Sequence, residues 1–463
     1  MSEKHINKSP IPCQSDSTKS PLPQHDWRLG VGIMPQGYKQ TSIGIIPQDW
    51  EVVRLGEVGD IVGGGTPDTT NPAFWNGEIL WLTPTEIKQK YISTSERKIT
   101  QKGLENSSAK ILPKNTILIT TRATIGDIGI ATKQLCTNQG FQSFVSGKNA
   151  NFEFMYYLLC TKRSQFISLA NGSTFLEVSA KTIRQIQIPL PPLKEQEKIA
   201  RILGVWDSAL DTLANLIKAK RKYKTALMQR LLTPPKDKST HPLAPSAREG
   251  EQENSLQVND RESQSSLRFA GFSDKWQEFR LGDLLKEKNI RNANNVNLVL
   301  SVTNKQGFVA QKDYFEQEVA SNDTSNYKVV CRGEFAYNPA RINVGSIAML
   351  ENFENGILSP MYIVFECLEK INKDFFRYWL ESHNFRGILG RYLSGSVRET
   401  LSFNDMKTMK IFIPTLAEQK KIAQVLSACD KEIETLNLKF ECLKAQKRGL
   451  MQQLLSGKVR VKC

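Results

Sequence analysis

Two short segments contain residue types that could carry catalysis. Gly63-Gly64-Gly65-Thr66-Pro67 is glycine-rich, as phosphate-binding loops are, and Asn71-Pro72-Ala73-Phe74 resembles the Asn-Pro-Pro-aromatic signature of adenine methyltransferases. The proline of the first segment opens no helix N-terminus that could hold phosphate. Alanine replaces the second proline of the methyltransferase signature, and no cofactor-binding turn accompanies it. We expect neither segment to be catalytic and predict a tight loop between strands at the glycines.

Other residues with catalytic chemistry are sparse. The sequence contains no GxxxxGK[ST], HExxH or GxSxG motif. Its eight cysteines form no CxxC pair, so no zinc site is expected. The four histidines are His5, His25, His241 and His383. We therefore expect a binding protein that has no catalytic residue, metal or cofactor of its own.

Two matched segments carry side chains that suit the edges of nucleic-acid bases. Each reads as strand, exposed turn and strand, with Arg122 and Arg341 at equivalent positions, Thr124 in the first turn and Asn343 in the second. Arginine pairs with guanine, asparagine with adenine, and hydroxyl groups adapt to either. A hairpin whose arginine makes only a local salt bridge is the alternative.

A second matched pair of segments is small and hydroxyl-bearing. Asn171-Gly172-Ser173-Thr174 corresponds to Ser394-Gly395-Ser396-Val397. Such turns can offer N–H and hydroxyl groups to phosphate; ordinary turns are the alternative.

These segments recur because the chain is a tandem repeat. Trp276 follows Trp50 by 226 residues, in the similar strings KWQEFRLGD and DWEVVRLGE, and Glu418 follows Glu195 by 223. A period this long indicates a duplicated domain. The loops differ between the copies more than the framework does, which predicts two different recognition surfaces.

Composition and repeat divide the chain into six predicted segments. Polar segments that bury little apolar surface do not order themselves. The predicted segments are a partly disordered N-terminal extension at 1–46, a recognition domain at 47–192, a long helix at 193–233, a polar linker at 234–270, a second recognition domain at 271–415, and a second long helix with a basic tail at 416–463.

Each repeat closes with an apolar stripe at coiled-coil spacing. Pro191-Pro192 and Pro414 stop any earlier helix. Each helix could run about 38 residues, or roughly 57 Å. We predict an α+β fold whose recognition domains combine mixed strands and short helices, and whose two long helices pair as an antiparallel coiled coil with pseudo-two-fold symmetry. Packing of each helix on its own domain is the alternative.

Positive charge favours a nucleic-acid partner. The chain has 62 Lys and Arg against 47 Asp and Glu, a net charge of +15, and residues 217–224 read IKAKRKYK. Paired basic helices could follow the backbone of duplex DNA, although a solvated face is the alternative. The predicted DNA contacts are Gly64, Gly65, Thr66, Arg122, Thr124, Ser173, Lys220, Arg221, Lys222, Arg341, Asn343, Ser396 and Arg398.

The sequence resembles a known family, the DNA-specificity (S) subunits of type I restriction–modification enzymes. The residues that carry the resemblance are DWEVVRLGE at 49–57, GGGTP at 63–67, WNGEILWLTP at 75–84, LRFAGFSDKWQEFRLG at 267–282, and the helix starts PPLKEQEKIA at 191–200 and PTLAEQKKIA at 414–423. The similarity runs from about residue 35 to the end. The second repeat departs from it, because KNIRN at 288–292 stands where the first has Gly-Gly-Thr-Pro.

The resemblance implies a non-catalytic subunit whose two target recognition domains each read half of a bipartite, asymmetric DNA site. The long helices would set the gap and dock two modification (methyltransferase) subunits, with restriction (translocase–nuclease) subunits completing the complex. S-adenosylmethionine, ATP and Mg would belong to those partners. The predicted spacer and partner-binding residues are Glu195, Gln196, Ile199, Leu203, Trp206, Leu213, Glu418, Gln419, Ile422, Leu426 and Leu436.

Two alternatives stay open. One is the specificity subunit of a related system with a fused methyltransferase–nuclease partner, and the other is a coiled-coil adaptor that binds no DNA. No apolar run approaches the roughly 20 residues of a membrane span, so a cytoplasmic location is expected.

Overall fold

The chain forms two compact units, each of which contains part of both long helices. The computed structural model describes residues 34–170, 176–235, 266–293, 296–314, 323–393 and 400–461. Unit 1 comprises the residues up to Ala214 together with those from Leu438 onward, and unit 2 comprises Asn215–Asn437. Both contain mixed strands and short helices followed by a long helix, as predicted.

Unit 1 contains twelve strands among its described residues. They are β1 (Tyr38–Thr41), β2 (Gly44–Pro47), β3 (Glu51–Arg54), β4 (Gly59–Gly63), β5 (Trp75–Leu82), β6 (Tyr91–Ile92), β7 (Arg97–Ile99), β8 (Ile117–Ile119), β9 (Ile128–Ala131), β10 (Cys136–Thr137), β11 (Gln142–Ser146) and β12 (Gln187–Leu190). A five-stranded sheet has the order β4-β11-β8-β9-β6 and a three-stranded sheet the order β10-β5-β7. Neighbours run antiparallel except in the pairs β5–β10 and β6–β9.

The helices of this unit are α1 (Gln101–Glu105), α2 (Phe152–Cys160), α3 (Arg163–Leu169), α4 (Ala180–Arg184) and the first part of α5 (Leu193–Leu231), together with the part of the second long helix that begins at Leu438. Asn151 caps α2 by accepting a hydrogen bond from the Phe154 N–H. The main core of the unit includes Phe154 of α2 and Ile199 and Leu203 of α5.

Unit 2 has ten strands in its described part. They are β13 (Gln277–Arg280), β14 (Leu285–Lys288), β15 (Leu300–Thr303), β16 (Gly307–Ala310), β17 (Lys328–Cys331), β18 (Phe335–Tyr337), β19 (Ile347–Met349), β20 (Asn355–Leu358), β21 (Ile363–Cys367) and β22 (Lys410–Ile413). A four-stranded sheet has the order β14-β21-β18-β19. The helices are α6 (Gln311–Tyr314), α7 (Lys373–Glu381), α8 (His383–Leu393), α9 (Phe403–Thr408) and the first part of α10 (Leu416–Leu455), together with the last part of α5, from Asn215 onward.

The recognition domains close in the same way. In unit 1 the first strand of the repeat, β3, pairs antiparallel with β12, which ends just before α5. In unit 2, β13 pairs antiparallel with β22, just before α10. The first and last strands of each recognition domain therefore lie side by side. Each long helix begins next to the first strand of its own domain.

Each core draws on both long helices. The core of unit 1 includes Leu454 and Leu455 of α10, and that of unit 2 includes Met228 and Leu231 of α5 beside Leu426 of α10. The first turns of each helix pack on the domain that precedes the helix, as in the alternative. The last turns do not, because they pack in the core of the other unit.

Two predicted boundaries have structured residues on their outer sides. Residues 38–46 were assigned to the extension, but Tyr38–Pro47 forms the hairpin β1–β2, and the Tyr38 hydroxyl donates to the carbonyl of Gly457 at 3.0 Å. Residues 266–270 were assigned to the linker, but Leu267 and Phe269 pack on the core of unit 2. The sequence alone did not reveal these contacts, because the contacting residues are distant from each other in sequence. The rest of the predicted linker, at 236–265, and residues 1–33 lie outside the described residues.

Candidate nucleic-acid interface

The glycine segment of unit 1 is a packed loop after β4. The Gly65 N–H donates to the carbonyl of Thr137 at 2.9 Å, and the Gly64 N–H donates to that of Phe141. A Cβ atom at Gly64 would overlap the carbonyl of Asn138, and the Thr66 hydroxyl donates to Gln139. The N–H groups of Gly64 and Gly65 are therefore used within the fold and are not offered to DNA, while DNA contact through other atoms of this loop stays a prediction.

Two tryptophans donate hydrogen bonds to the backbone of this loop. The Trp81 Nε1 donates to the carbonyl of Gly65 at 2.8 Å, and the Trp75 Nε1 donates to that of Asp68 at 3.0 Å. The Arg97 guanidinium lies 3.5 Å from the centre of the Trp75 ring. The residues 75–84 that resemble the family's pattern thus position the loop. Asp68, Thr69 and Thr70 are its exposed residues, and the sequence analysis missed them.

The arginine hairpins form as predicted, between β8 and β9 and between β18 and β19. Arg122 Nη2 lies 2.7 Å from Glu177 Oε2, so the local salt bridge is present, yet 43% of the arginine side chain is exposed. The Thr124 hydroxyl oxygen is buried without a hydrogen-bond partner in the described structure, which argues against its predicted contact with a base. DNA contact by Arg122 stays a prediction.

In unit 2 the equivalent turn is more open. Arg341 and Asn343 are exposed, and no ion pair joins Arg341 to another described residue. Asn343 lines a cleft of about 750 Å³ together with Asn304, Lys305 and Gln306 of the exposed β15–β16 turn. The exposed β15–β16 turn was not among the predicted DNA contacts, because it has no related loop in the first repeat with which it could be matched. Ser173, Ser396 and Arg398 lie outside the described residues.

The basic run of α5 is largely paired with acids and amides. Lys220 Nζ lies 2.7 Å from Glu432 Oε1 and Lys224 Nζ lies 2.7 Å from Asp430 Oδ1, both on α10. Arg221 donates to the side chain of Asn437 at 3.3 Å, whereas Lys222 is exposed. The Lys220 side chain is 35% exposed despite this ion pair, so DNA contact by Lys220 stays a prediction.

The predicted partner contacts at the first turn of α5 are buried within unit 1. Glu195 is 1% exposed; it accepts a hydrogen bond from the Trp50 Nε1 at 2.9 Å and pairs with Arg460. Gln196 donates to the carbonyls of Asn149 and Pro191. These two residues therefore bind the helix start to the recognition domain.

Unit 2 repeats part of this arrangement, although the Nε1 of Trp276, the counterpart of Trp50, is buried without a hydrogen-bond partner among the described residues. Gln419 donates to the carbonyls of Lys370 and Pro414, as Gln196 does to its neighbours. Glu418 is paired by two hydrogen bonds from Arg268, of 3.0 and 2.6 Å. Arg268, the partner of Glu418, precedes the second recognition domain in sequence, whereas Arg460, the partner of Glu195, follows α10. The hydrogen bond to Glu195 raises the pKa of Arg460, despite the opposing effect of its partial burial.

The apolar members of the predicted partner set divide in two. Ile199, Leu203, Ile422 and Leu426 are fully buried in the cores of the units, so the prediction that they contact a partner subunit is wrong. The residues that lie further along the helices are Trp206 and Leu436, which are half-buried, and Leu213, which is 8% exposed. Contact by these three with a partner stays a prediction.

The residues that the structure describes form neither a metal site nor a membrane-spanning helix. No three His, Cys, Asp or Glu side chains come together as metal ligands anywhere in the described part of the chain. Among the same residues, no helix combines the length and apolar composition that a membrane span requires.

Comparison with known proteins gives one consistent result. Residues 47–220 and 273–441 match the family model of the type I restriction modification DNA specificity domain. The type I restriction enzyme MjaIX specificity subunit of Methanocaldococcus jannaschii is 38% identical over 179 residues, which are 38% of this chain and 41% of that relative. The MjaVIII specificity subunit of the same organism is 26% identical over 434 residues, covering 92% of this chain and 97% of the relative.

A solved structure supports the fold. A chain from a study of complex assembly and conformational transition of the type I R-M system superposes with a TM-score of 0.52, covering 89% of this chain and 99% of that chain at 16% identity. The family match covers well over half of the sequence and includes both repeats. The chain therefore belongs to the type I restriction modification DNA specificity family.

Proposed function

We propose that this chain is the sequence-specific DNA-binding subunit of a type I restriction–modification complex, and that each recognition domain reads one half of a bipartite, asymmetric site. The observation that carries the proposal is the repeated framework with unrelated loops. The closures β3–β12 and β13–β22 are equivalent, whereas the glycine loop of unit 1 and the β15–β16 turn of unit 2 have no counterpart in each other. One framework with two sets of loops suits two half-sites.

The proposal includes antiparallel pairing of α5 and α10 as a coiled coil with a pseudo-two-fold axis, so that the pair sets the gap between half-sites. The ion pairs inside each unit support it. In unit 2, Lys220 pairs with Glu432 and Lys224 pairs with Asp430. Residue numbers that increase along α5 therefore pair with residue numbers that decrease along α10, as in antiparallel helices. One helical turn of DNA is about 34 Å long, which a pair of helices of this length can bridge.

Partner subunits supply the chemistry in this proposal. Two modification subunits dock on the long helices, where the large exposed apolar residues are Leu193, Val205, Leu216, Tyr223, Leu416 and Leu438. Exposed apolar side chains along a surface favour a protein partner. S-adenosylmethionine, ATP and Mg are bound by the modification and restriction subunits, and the complex acts on DNA in the cytoplasm.

Long-read sequencing of adenine methylation, with and without this gene, tests the proposal. Deletion should remove methylation at one bipartite, gapped motif, and restoring the gene should return it. Methylation that is unchanged by deletion, although the chain copurifies with a methyltransferase, contradicts the DNA-specificity role. Copurification only with proteins that are not methyltransferases favours the coiled-coil adaptor.

A further inference from the structure

One cluster of polar side chains occurs twice and is not explained by base contacts or by core packing. In unit 1, the Tyr157 hydroxyl of α2 donates to Asp207 Oδ2 on α5, and Lys447 Nζ of α10 donates to Asp207 Oδ1. Three separate elements thus converge on a single carboxylate.

Unit 2 builds the same cluster from equivalent residues. The Tyr378 hydroxyl of α7 donates to Asp430 Oδ2 at 2.7 Å, and Lys224 Nζ lies 2.7 Å from Asp430 Oδ1. The tyrosine and the lysine even contact the same carboxylate oxygens as in unit 1. Asp430 follows Asp207 by 223 residues, and Lys447 follows Lys224 by 223, so the roles of the two long helices are exchanged between the copies.

The surroundings keep each cluster ordered. Tyr157 and Tyr378 are 1% and 0% exposed, so the cores fix where their hydroxyl groups lie. Lys447 and Lys224 have side chains that are 19% and 17% exposed, and their ammonium groups lie 5.4 and 5.0 Å from the centres of the neighbouring tyrosine rings. Exposed ion pairs contribute little, but partly buried carboxylates with several donors are held in one geometry.

A second cation lies beside the carboxylate of each cluster, and it comes from a different residue type in each unit. Lys90 Nζ lies 3.1 Å from Asp207 Oδ2 in unit 1, and Arg377 Nη2 lies 3.9 Å from Asp430 Oδ2 in unit 2. Burial opposes ionisation of Asp207, but the hydrogen bonds from Lys447 and Tyr157 outweigh it and lower the pKa of this carboxyl group. Asp207 is therefore a charged acceptor at neutral pH.

We propose that these two clusters are copies of one latch, Tyr157–Asp207–Lys447 and Tyr378–Asp430–Lys224, which fixes each recognition domain to its own helix and fixes the register of the two helices. Rotation of a domain on its helix separates the tyrosine hydroxyl from the carboxylate. Sliding of one helix by one residue moves the lysine by about 1.5 Å. On the proposed function, this makes the latch residues positioning residues for the gap between half-sites, although they touch no base.

The latch gives Lys224 a role other than the one suggested by charge alone. Lys224 belongs to the basic run 217–224, which favoured a DNA-following surface. Its equivalence with Lys447 is visible only when the two helix sequences are aligned and the antiparallel exchange of partners is known.

The test uses the full chain in complex with its modification subunits. The variant Asp207→Asn with Asp430→Asn weakens both latches and keeps the side-chain shape. The variant Tyr157→Phe with Tyr378→Phe removes only the hydroxyl groups. The matched control is Asp211→Asn, four residues further along α5, where the aspartate is exposed.

Two readouts are measured on each variant. The first is the methylation rate on duplexes whose gap is the native length or one base pair longer or shorter. We expect the preference for the native gap to fall about tenfold in the latch variants, as for loss of a charged hydrogen bond, and to be unchanged in the control. The second is hydrogen–deuterium exchange of α2 and of residues 444–451, which should become faster only in the latch variants.

The outcomes are separable. Faster exchange with an unchanged gap preference means that the cluster only stabilises the fold, and overturns the proposal. Unchanged exchange in folded variants also overturns it. If the wild-type complex methylates no gapped site, the proposed function fails. In that case, hydrogen–deuterium exchange that is faster in both segments of the latch variants, and unchanged in the control, still supports the latch as a connection between each domain and the helices.

Discussion

At the scale of single residues, buried carboxylates organise the helix starts. Glu195 has a side chain that is 2% exposed, and its oxygens lie 2.9 and 3.0 Å from Arg460 Nε and Nη2. Arg460 also pairs with Asp49 at 2.7 Å, and its hydrogen bond is the main cause that lowers the pKa of Asp49. A buried charge is tolerated only when donors surround it. The C-terminal tail therefore belongs to the fold of unit 1.

We predict that Arg460→Met destabilises the chain by about 3 kcal/mol, because Glu195 would keep its buried charge with only the Trp50 N–H as a strong donor. Urea unfolding of the full chain measures the change. Lys458→Met, on the same tail but at an exposed position, is the control and should change the free energy of unfolding by less than about 0.5 kcal/mol. Equal effects of the two substitutions would contradict the buried-charge account.

At the scale of elements, the sequence predicted what local patterns determine. The prolines before Leu193 and Leu416 mark where α5 and α10 begin, and the matched arginine segments predicted both hairpins. Long-range contacts were not predictable in this way. The hairpin β1–β2 is fixed partly by Tyr38 and Gly457, which are 419 residues apart.

Helical periodicity has a related limit. A stripe such as that of Ile199 and Leu203 predicts which face of α5 is buried, but not whether a core or a second helix covers it. The first turns pack in the cores of the units, and the predicted spacer contacts there were wrong for that reason. Likewise, Lys220 and Lys222 are indistinguishable by charge, yet only Lys220 has an acid opposite.

The glycine loop gives a prediction at this scale. A Cβ atom at Gly65 would overlap the backbone of Ser108 and Ala109, whereas one at Gly63 would meet only the side chain of Gln142, at 3.3 Å. We predict that Gly65→Ala costs about 1–3 kcal/mol of unfolding free energy, as overpacking does, and displaces the exposed residues 68–70. Gly63→Ala is the matched control with a smaller cost, because a side chain can move where backbone cannot.

Urea unfolding measures the stability change, and methylation of site variants measures recognition. Gly65→Ala should impair one half-site only, because the loop belongs to unit 1 alone. Wild-type stability in this variant would contradict the tight packing of the loop at Gly65. Equal impairment of both half-sites would contradict a role of residues 68–70 in the half-site of unit 1.

At the scale of the whole molecule, duplication lets each half-site be changed separately. The two units have separate cores, so a substitution in one hairpin leaves the fold of the other domain intact. We predict that Arg341→Ala weakens binding by about 1–3 kcal/mol and relaxes the base preference in a single half-site. Arg122→Ala should affect the other half-site by less, because DNA binding must first displace Glu177 from Arg122.

Binding of the complete complex to duplexes with single-base changes in either half-site measures both effects. Lys222→Ala is the control for charge alone, since Lys222 is exposed on α5; it should weaken binding to all sequences alike and reduce the dependence of affinity on salt. A uniform loss across sequences for Arg341→Ala would assign Arg341 to phosphate rather than to a base. A loss of preference in both half-sites from one substitution would contradict independent reading by the two domains, because the separate cores give no route by which one hairpin reshapes the other.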